Sequence, residues 1–360
     1  MQLLRTYFEL MHEKNASDLH LAAGQPPILR VDGKLVRIED DLLDDSLLTQ
    51  RLKGIAPADK FTRFEQQGDI DFSYEIEGLA RYRVNYFKQK HGVGAAFREI
   101  PAEIQSVKKL GLPKVLTKLA LLPRGLILLT GPTGSGKSTT LAAIIDAANN
   151  ARSDHIITIE DPIEYVHQSK TCIINHREVG LHTHSFSSAL RSALREDPDI
   201  ILVGEMRDLE TISLAIEAAA TGHLVLSTVH TSSAAATIDR IIEVFPSHEQ
   251  ALIRLSLADS LRAIVAQSLF KRAGKPGRVA ATEILIATPA VRNLIREAKS
   301  HQISSAIQTG KRYGMCLMDD SIMALLDRGM IGEEEAYLKC HEKERFRPLL
   351  TGTPADFTEV

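Results

Sequence analysis

The sequence predicts an α/β protein with two domains: a smaller α+β domain followed by a larger domain built on a parallel sheet. A chain of 360 residues fits two domains of about 150 residues or somewhat more each. Strict alternation of apolar and polar residues within the first hundred positions indicates half-buried strands joined by short turns, and therefore an antiparallel sheet. Beyond residue 113, continuous apolar runs alternate with helical patterns, which is typical of a parallel sheet covered on both faces.

The predicted smaller domain, residues 1–100, begins with an amphipathic helix. Apolar residues recur there at helical spacing, at Leu3, Leu4, Tyr7, Phe8 and Met11. The other predicted elements of this domain are a hairpin over 27–38 that turns at Asp32–Gly33, helical structure over 45–67, and alternating strands at 70–76, 82–86 and 93–97.

A linker is predicted at residues 101–112, where both patterns break. The larger domain then covers residues 113–360. Its apolar strand candidates are 126–130, 156–159, 200–203, 224–229 and 279–286. The remainder predicts a mostly helical C-terminal part, and we expect its tail over 351–360 to be frayed.

Charge and cysteine content argue against several classes of protein. The sequence has 43 Lys and Arg against 46 Asp and Glu, a net charge of −3, so no overall positive field attracts nucleic acid. Three cysteines without a CxxC pair argue against a disulfide framework or a cysteine-rich zinc site, and they fit a reducing cytoplasm. Residues 218–238 are uncharged, but their Ser, Thr and His content makes a membrane span a poor interpretation. We expect contact with a membrane only through partners.

Residues 131–138 read GPTGSGKS, which matches the phosphate-binding P-loop pattern between an apolar strand and a helical run. Glycines let backbone N–H groups surround phosphates, and the helix N-terminus adds positive potential. Lys137 would contact the β- and γ-phosphates of ATP, and Ser138 would bind Mg²⁺. A glycine-rich turn without a ligand is the alternative, and the correct spacing of Lys137 and Ser138 argues against it. The predicted nucleotide-binding residues are Gly131, Pro132, Thr133, Gly134, Ser135, Gly136, Lys137, Ser138 and Thr139.

We expect an acidic residue at the end of a second strand, where it would bind the metal ion. The segment DPDIILVGE ends on Glu205, which we expect to hold Mg²⁺ directly or through water. Position 204 is glycine, where many P-loop enzymes have aspartate. A solvated acid that merely ends the strand is the alternative interpretation.

A further carboxylate is predicted in the segment IITIEDPIEY, after another apolar strand. The carboxyl ends of parallel strands meet at the ligand crevice. We assign Glu164, behind the turn that Pro162 fixes, as the base or positioning group for the attacking water. Glu160 and Asp161 remain alternatives for this role, and so does a purely structural loop.

Two histidines flank the apolar strand in HLVLSTVH. His230 leaves this strand at its carboxyl end, beside the other predicted site residues, and is a candidate sensor that hydrogen-bonds to the γ-phosphate. His223, before the strand, is a weaker candidate. Packing or surface exposure is the alternative for both, and neither belongs to a recognisable metal-ligand cluster.

Five motifs occur along the chain in this order: SDLHL, GPTGSGKSTT, IITIEDPIEY, LREDPDIILVGEMRD and TGHLVLSTVHTSSA. Together they resemble the secretion ATPases of type II secretion systems and type IV pili, over nearly the whole chain. The resemblance implies a RecA-like ATPase domain joined to a PAS-like N-terminal domain. It also implies a ring-shaped homohexamer at the cytoplasmic face of the inner membrane, where its partner is the polytopic platform protein of the pilus machine.

Within this family the sequence is most similar to the pilus-retraction ATPases. The segment AVRNLIRE, residues 290–297, resembles their signature, with Val291 in place of isoleucine. Assembly ATPases usually carry an extra N-terminal domain and a four-cysteine zinc module, which this sequence does not show. Pilus assembly or type II secretion remains the first alternative. A nucleic-acid translocase is less favoured, because the charge balance and the absence of an Arg- and aromatic-rich stripe argue against it. A regulatory module without turnover is also less favoured, because the sequence has the complete set Lys137, Ser138, Glu164 and Glu205.

Arginines of the smaller domain are candidates for completing the site. Arg83 and Arg98 lie opposite the apolar faces of their strands, and they resemble family arginines that approach the γ-phosphate. Arg81 and Arg240 are weaker candidates, and a solvated strand face is the alternative.

The AVRNLIRE segment predicts a helix that couples hydrolysis to work. Thr288 can cap this helix and Pro289 suits its first position. The predicted apolar stripe consists of Ala290, Val291, Leu294, Ile295 and Ala298. An ordinary packed helix with a charged face is the alternative.

Overall fold

The computed structural model describes residues 2–31, 33–38, 41–100, 103–350 and 352, without the side chains of residues 2 and 3. The chain divides into two compact units. The first contains Met1–Glu103 with Pro162–Val166, and the second contains Ile104–Asp161 with His167–Val360. The predicted domain boundaries at residues 100 and 113 stay predictions. The turn residue Asp32, the side chain of Leu3, the first two linker residues and most of the predicted tail lie outside the described residues.

The first unit is a six-stranded antiparallel sheet with three helices. Its elements are α1 (Gln2–Glu13), β1 (Asp18–Ala22), β2 (Ile28–Val31), β3 (Lys34–Arg37), α2 (Asp45–Lys53), α3 (Ala58–Gln67), β4 (Asp69–Ile76), β5 (Ala80–Gln89) and β6 (Gly92–Ile100). The strand order is β3-β2-β1-β6-β5-β4. Tyr82, Val84 and Tyr86 of β5 are completely buried, so the alternation read from the sequence marks the core face of this sheet.

The helical pattern over residues 45–67 is confirmed, with a break that the sequence reading did not include. The structure has two helices there, because Gly54 ends α2 and Pro57 precedes α3. Proline disfavours helical geometry in the residue before it, so a continuous helix cannot pass through this point without strain. The three predicted alternating strands and the predicted hairpin are confirmed as β4, β5, β6 and the pair β2–β3.

The second unit is built on a seven-stranded sheet. Its elements are α4 (Val115–Leu119), β7 (Gly125–Thr130), α5 (Lys137–Ala151), β8 (His155–Glu160), β9 (Ile173–Glu178), α6 (Phe186–Ala193), β10 (Ile200–Val203), α7 (Leu209–Thr221), β11 (Leu224–Val229), α8 (Ala234–Glu243), α9 (Ser247–Ser260), β12 (Leu261–Lys271), β13 (Arg278–Ile286), α10 (Pro289–Arg296), α11 (Ile303–Thr309), α12 (Met318–Asp327), α13 (Glu333–Lys339) and α14 (Lys343–Phe346). The strand order is β13-β12-β7-β11-β10-β8-β9. This arrangement confirms the predicted α/β class.

Both faces of this sheet are covered. Along β7, Leu126 and Leu128 pack into one apolar core, while Ile127 and Leu129 pack into the core on the opposite face. Because β7, β8, β10 and β11 are parallel neighbours, their carboxyl ends lie at one edge of the sheet. In open α/β sheets that edge is where ligands bind.

Three strand predictions in the second unit need correction. β13 was expected to be parallel, but it pairs antiparallel with β12. Only residues 272–277 join the two strands, which is too short for a parallel crossover. β9 and β12 were not predicted at all. β12 begins at Leu261 directly after α9 ends at Ser260, and neither glycine nor proline marks this boundary in the sequence. β9 is an edge strand with polar residues in its middle, so it lacks a continuous apolar run.

Residues 218–238, the uncharged stretch of the sequence, form the end of α7, β11 and the start of α8. In the described part of the chain, no helix has the length and apolar content needed to cross a bilayer.

Candidate nucleotide site

The loop between β7 and α5 has the backbone of an anion-binding loop. Gly131, Gly134 and Gly136 have φ angles of 144°, 77° and 84°, a region that residues with a Cβ rarely adopt. A Cβ on Gly131 would lie 2.3 Å from the Gln267 carbonyl oxygen, so no larger residue fits there. Successive N–H groups in such a loop form a concave site for anions. These residues therefore fit the phosphates of a nucleotide.

Lys137 lies against this loop as the first residue of α5. Its side chain is buried, and its ammonium group donates hydrogen bonds to the carbonyl oxygens of Gly131 (2.8 Å) and Pro132 (3.1 Å). Ser138 and Thr139 follow in the first helical turn and are half-buried. The positive charge of Lys137 and the helix N-terminus therefore act at the same place, where an anionic ligand is favoured.

Glu205 and His230 come together at the carboxyl ends of β10 and β11. His230 Nε2 lies 3.1 Å from Glu205 Oε1. Arg207, for which the sequence pattern predicts no role, places its Nε 2.7 Å from the same oxygen. The hydrogen bond to Glu205 raises the pKa of Arg207. All three residues line a cleft of about 280 Å³ together with Arg240. Residues 131–139 do not line this cleft.

Threonine hydroxyls tie the start of the P-loop to the chain that follows His230. Thr130 pairs with Val229 across β7 and β11. Its Oγ1 donates to the carbonyl oxygen of Thr231 (2.6 Å) and accepts from the Thr231 N–H (3.0 Å). The P-loop and the histidine segment are therefore fixed relative to each other at the same edge of the sheet.

Gly204 lies in close contact with the neighbouring strand β8. A Cβ there would lie 3.2 Å from the Ile159 carbonyl oxygen and 3.4 Å from the Glu160 Cα. The neighbouring strand β8 comes this close because the Gly204 N–H donates to the Ile159 carbonyl (2.7 Å). An aspartate at 204 would crowd Glu160, whose buried side chain already supplies a carboxylate at this place.

The three candidate bases differ in their surroundings. Glu160 is buried at the end of β8 and Asp161 is exposed. Glu164 is half-buried, and its segment Pro162–Val166 groups with the first compact unit. The assignment of the water-activating group to Glu164 stays a prediction.

His223 lies at the amino end of β11, opposite the end where His230 leaves that strand. Its Nδ1 donates to the Ala218 carbonyl oxygen at 3.0 Å, which caps the end of α7. Of these two histidines, the structure therefore places His230 at the carboxyl edge of the sheet and His223 at the opposite end of β11.

Arg83 and Arg98 lie directly opposite each other on β5 and β6, with exposed side chains on the face away from the core. Arg98 Nε contacts Asp18 Oδ1 at 2.8 Å, and Arg30 Nε lies 3.7 Å from the other oxygen of Asp18. Asp18 belongs to the SDLHL motif and was not assigned a role from the sequence. The weaker candidate Arg81 donates from Nη2 to Ser73 Oγ (3.0 Å).

Both predicted magnesium ligands follow strands of the second unit. Ser138 begins α5 and Glu205 follows β10. Among the described residues, no group of three or more His, Cys, Asp or Glu side chains could hold a metal by itself. A Mg²⁺ ion here would therefore depend on phosphate oxygens and water as well, which is usual for this ion.

The buried His167, which contacts His176 beside Glu160, predicts acid sensitivity. Burial, and then the nearby His176, lower the pKa of His167 to about 4. The His167 N–H donates to His176 Nε2 (3.1 Å), and His176 Nδ1 hydrogen-bonds with Thr158 Oγ1 (2.8 Å). The unfolded chain binds a proton on His167 near pH 6.5, whereas the folded chain does not until about pH 4. Above pH 6.5 the titration of His167 therefore does not lower the free energy of unfolding. This free energy falls as the pH drops from 6.5 to about 4.

We expect this histidine to cost on the order of 3 kcal/mol of unfolding free energy between pH 6.5 and pH 4. Denaturant unfolding at several pH values measures the slope. His167→Phe should flatten it, since phenylalanine fills similar space without titrating. His248→Gln is the control, because the His248 side chain is 79% exposed. Equal slopes for His167→Phe and the unsubstituted chain would contradict the assignment.

Comparisons with known proteins agree with this arrangement. The model of the family described as type II/IV secretion system protein matches residues 1–336. The type IV pilus retraction ATPase PilT of Pseudomonas aeruginosa is 53% identical over 334 residues, covering 93% of this chain and 97% of that protein. A twitching motility protein of Neisseria gonorrhoeae is 49% identical over 318 residues, covering 88% and 85%. A crystal structure of the pilus retraction motor PilT with bound ADP has a TM-score of 0.86 at 44% identity, covering 95% of this chain and 98% of the other. This likeness confirms the predicted RecA-like ATPase fold.

Proposed function

The chain belongs to the type II/IV secretion system protein family, and on that premise we propose that it is the ATPase motor that retracts type IV pili. The chain is an ATPase, as the resemblance implied. The observation that carries the proposal is the glycine loop with Lys137 folded against it, beside the Glu205–His230 pair at the carboxyl edge of the sheet. Identity over nearly the whole length of a retraction ATPase supports the direction of work.

Each site residue has a proposed part in phosphoryl transfer from ATP to water. Lys137 neutralises the β- and γ-phosphates, while Ser138 and Glu205 would hold Mg²⁺. The ion supplies Lewis-acid stabilisation of the phosphate oxygens when it is bound. Glu164 orients the attacking water and accepts its proton, and His230 donates a hydrogen bond to the γ-phosphate.

Arg83 and Arg98 supply positive charge from the first unit in this proposal. Substituting either with alanine should lower ATP turnover about 100-fold with little change in nucleotide affinity, because the charge acts mainly on the transition state. Steady-state kinetics and ADP titration measure the two quantities. Arg63→Ala on α3 is the matched control, because Arg63 is exposed on another element of the same unit. Unchanged turnover in both variants would remove these residues from the mechanism.

We also propose that six copies of the chain form a ring. The ring works at the cytoplasmic face of the inner membrane, against the polytopic platform protein of the pilus machine. Family membership supports this assembly, and a motor that moves a separate filament needs several sites that act in sequence.

The segment 290–297 forms α10 and its end. Thr288 caps the helix, accepting from the Val291 N–H, and Pro289 is its first residue, as the sequence predicted. The predicted stripe is partly wrong. Val291 and Ile295 are buried and Leu294 is partly buried, but Ala290 and Ala298 are exposed. The helix ends at Arg296, and Ala298 has a φ of 58°, so the stripe cannot continue to it.

We propose that the polar residues of this segment couple hydrolysis to retraction. Arg292 is half-buried, and Glu297 bonds to Asn293 Nδ2 (2.8 Å) and Lys299 Nζ (2.7 Å). Arg292→Ala and Glu297→Ala should leave ATP turnover within about twofold of that of the unsubstituted chain. The reason is that this segment follows β13, whereas the P-loop follows β7. Pilus retraction, scored by twitching on a surface, should be lost. Glu334→Ala on α13 is the control. Normal retraction, or loss of nucleotide binding, would contradict the coupling role.

A further inference from the structure

Gln267 connects β12 to the phosphate-binding loop. Its side chain is 3% exposed. Nε2 donates to the Ser135 carbonyl oxygen at 2.7 Å, and Oε1 accepts from Thr140 Oγ1 at 2.8 Å. The amide orientation is unambiguous, because a backbone carbonyl can only accept and must therefore face the NH₂ group. One buried side chain thus holds both the loop and the first turns of α5.

The same residue accounts for two of the three loop glycines. A Cβ on Gly131 would lie 2.3 Å from the Gln267 carbonyl oxygen, and a Cβ on Gly136 would lie 2.8 Å from Gln267 Nε2. β12 can approach this closely because it pairs in parallel with β7, Ala266 opposite Thr130. The P-loop therefore lies directly against Gln267 on one side.

The hydrogen bond to Ser135 fixes the direction of a particular N–H group. A trans peptide is planar, so the Ser135 carbonyl and the Gly136 N–H point in opposite directions. With the carbonyl held toward Gln267, the Gly136 N–H points away from β12. Phosphate-binding loops bind their ligand through backbone N–H groups in this arrangement.

We propose that Gln267 is a positioning residue of the nucleotide site, which holds the Ser135–Gly136 peptide so that the Gly136 N–H can bind a phosphate oxygen. Its role rests on nucleotide binding at the P-loop. Gln267 does not contact the ligand; it fixes a group that does. Loss of its amide would let this peptide rotate, and the N–H would be ordered only at the cost of binding energy.

Two substitutions separate the hydrogen bond from the volume of the side chain. Gln267→Glu keeps the shape and the acceptor for Thr140 but places an oxygen against the Ser135 carbonyl. Gln267→Met keeps most of the volume and removes both hydrogen bonds. ADP affinity, measured by calorimetry, should fall about 10- to 100-fold in each, the worth of one hydrogen bond to a charged group. Gln250→Glu is the matched control, because Gln250 also donates to a backbone carbonyl, that of Phe245 (2.9 Å).

A spectroscopic signal reports on the peptide itself. Ser135–Gly136 is the only Ser-Gly step in the sequence, so labelling serine carbonyls with ¹³C and glycine nitrogens with ¹⁵N selects the single Gly136 amide. In the full chain, ADP should move this amide proton downfield. In both Gln267 variants the Gly136 amide resonance should differ from that of the unsubstituted chain before ADP is added. The ADP-induced shift should also be smaller than in the unsubstituted chain. If Gln267 only stabilised the fold, its substitution would lower the unfolding midpoint and leave the ADP-induced shift of the Gly136 amide unchanged.

The outcomes distinguish this inference from the function on which it rests. If calorimetry shows no ADP binding to the unsubstituted chain, nucleotide binding at the P-loop is wrong. If that chain binds ADP without a shift at Gly136, the part assigned to the Gly136 N–H is wrong. If the unsubstituted chain responds, and folded Gln267→Met binds ADP with the same affinity and the same shift, the role of Gln267 is overturned.

Discussion

Lys137→Ala is expected to lower ATP turnover by about 100- to 1000-fold, the usual cost of removing one group that stabilises transferring charge. The Lys137 ammonium is buried against the P-loop and contacts the carbonyl oxygens of Gly131 and Pro132. No other lysine lies in the loop 131–136. Alanine would leave the glycine backbone in place but remove the charge that neutralises the phosphates. A phosphate-release assay measures the effect.

Lys275→Ala is the matched control for this variant. Lys275 is exposed between β12 and β13, so its loss should leave turnover unchanged. Light scattering on the same samples should show the mass of six chains, and a fully active monomer would contradict the ring. Lys137→Ala turnover within threefold of the unsubstituted chain would exclude the P-loop as the catalytic site.

Glu164→Gln is expected to keep nucleotide affinity and lower turnover by about 100- to 10,000-fold. Glutamine has the same shape but cannot accept the proton of the attacking water, while the glycine loop that holds the phosphates is untouched. ADP titration and phosphate release should therefore respond differently. Glu217→Gln, at an exposed position on α7, is the control.

Parallel variants decide between the three carboxylates. Glu160→Gln and Asp161→Asn should each retain more turnover than Glu164→Gln. If Glu164→Gln hydrolyses ATP normally, the role passes to whichever of the other two abolishes turnover. Glu160 is the stronger of these, because it lies buried beside Gly204 at the end of β8.

The parts of the fold that could be predicted are those that depend on local sequence patterns. The P-loop glycines have the φ angles that only glycine adopts readily, so their spacing in the sequence reflects a local backbone requirement. The alternation of Tyr82, Val84 and Tyr86 reflects the period of a strand with one buried face. Glu205 and His230 could be placed together because both follow apolar strands, and parallel strands end at a common edge.

Contacts between distant parts of the sequence could not be predicted in this way. Gln267 contacts Ser135 across 132 positions, and it lies on β12, which has no breaker residue at its start. Arg207 is exposed, and only the geometry after β10 shows its contact with Glu205. Asp18 stood in a recognised motif, but its place between Arg98 and Arg30 depends on the register of three strands.

The central claim is that hydrolysis of ATP at the P-loop powers pilus retraction, and one genetic measurement tests it most directly. The gene is deleted in its piliated host, and surface pili and their retraction are scored after return of the unsubstituted gene or of Lys137→Ala. We predict surplus pili that do not retract in the deletion strain, rescued by the unsubstituted gene but not by the variant. A deletion strain without pili would indicate assembly, and normal retraction after deletion would contradict the motor function altogether.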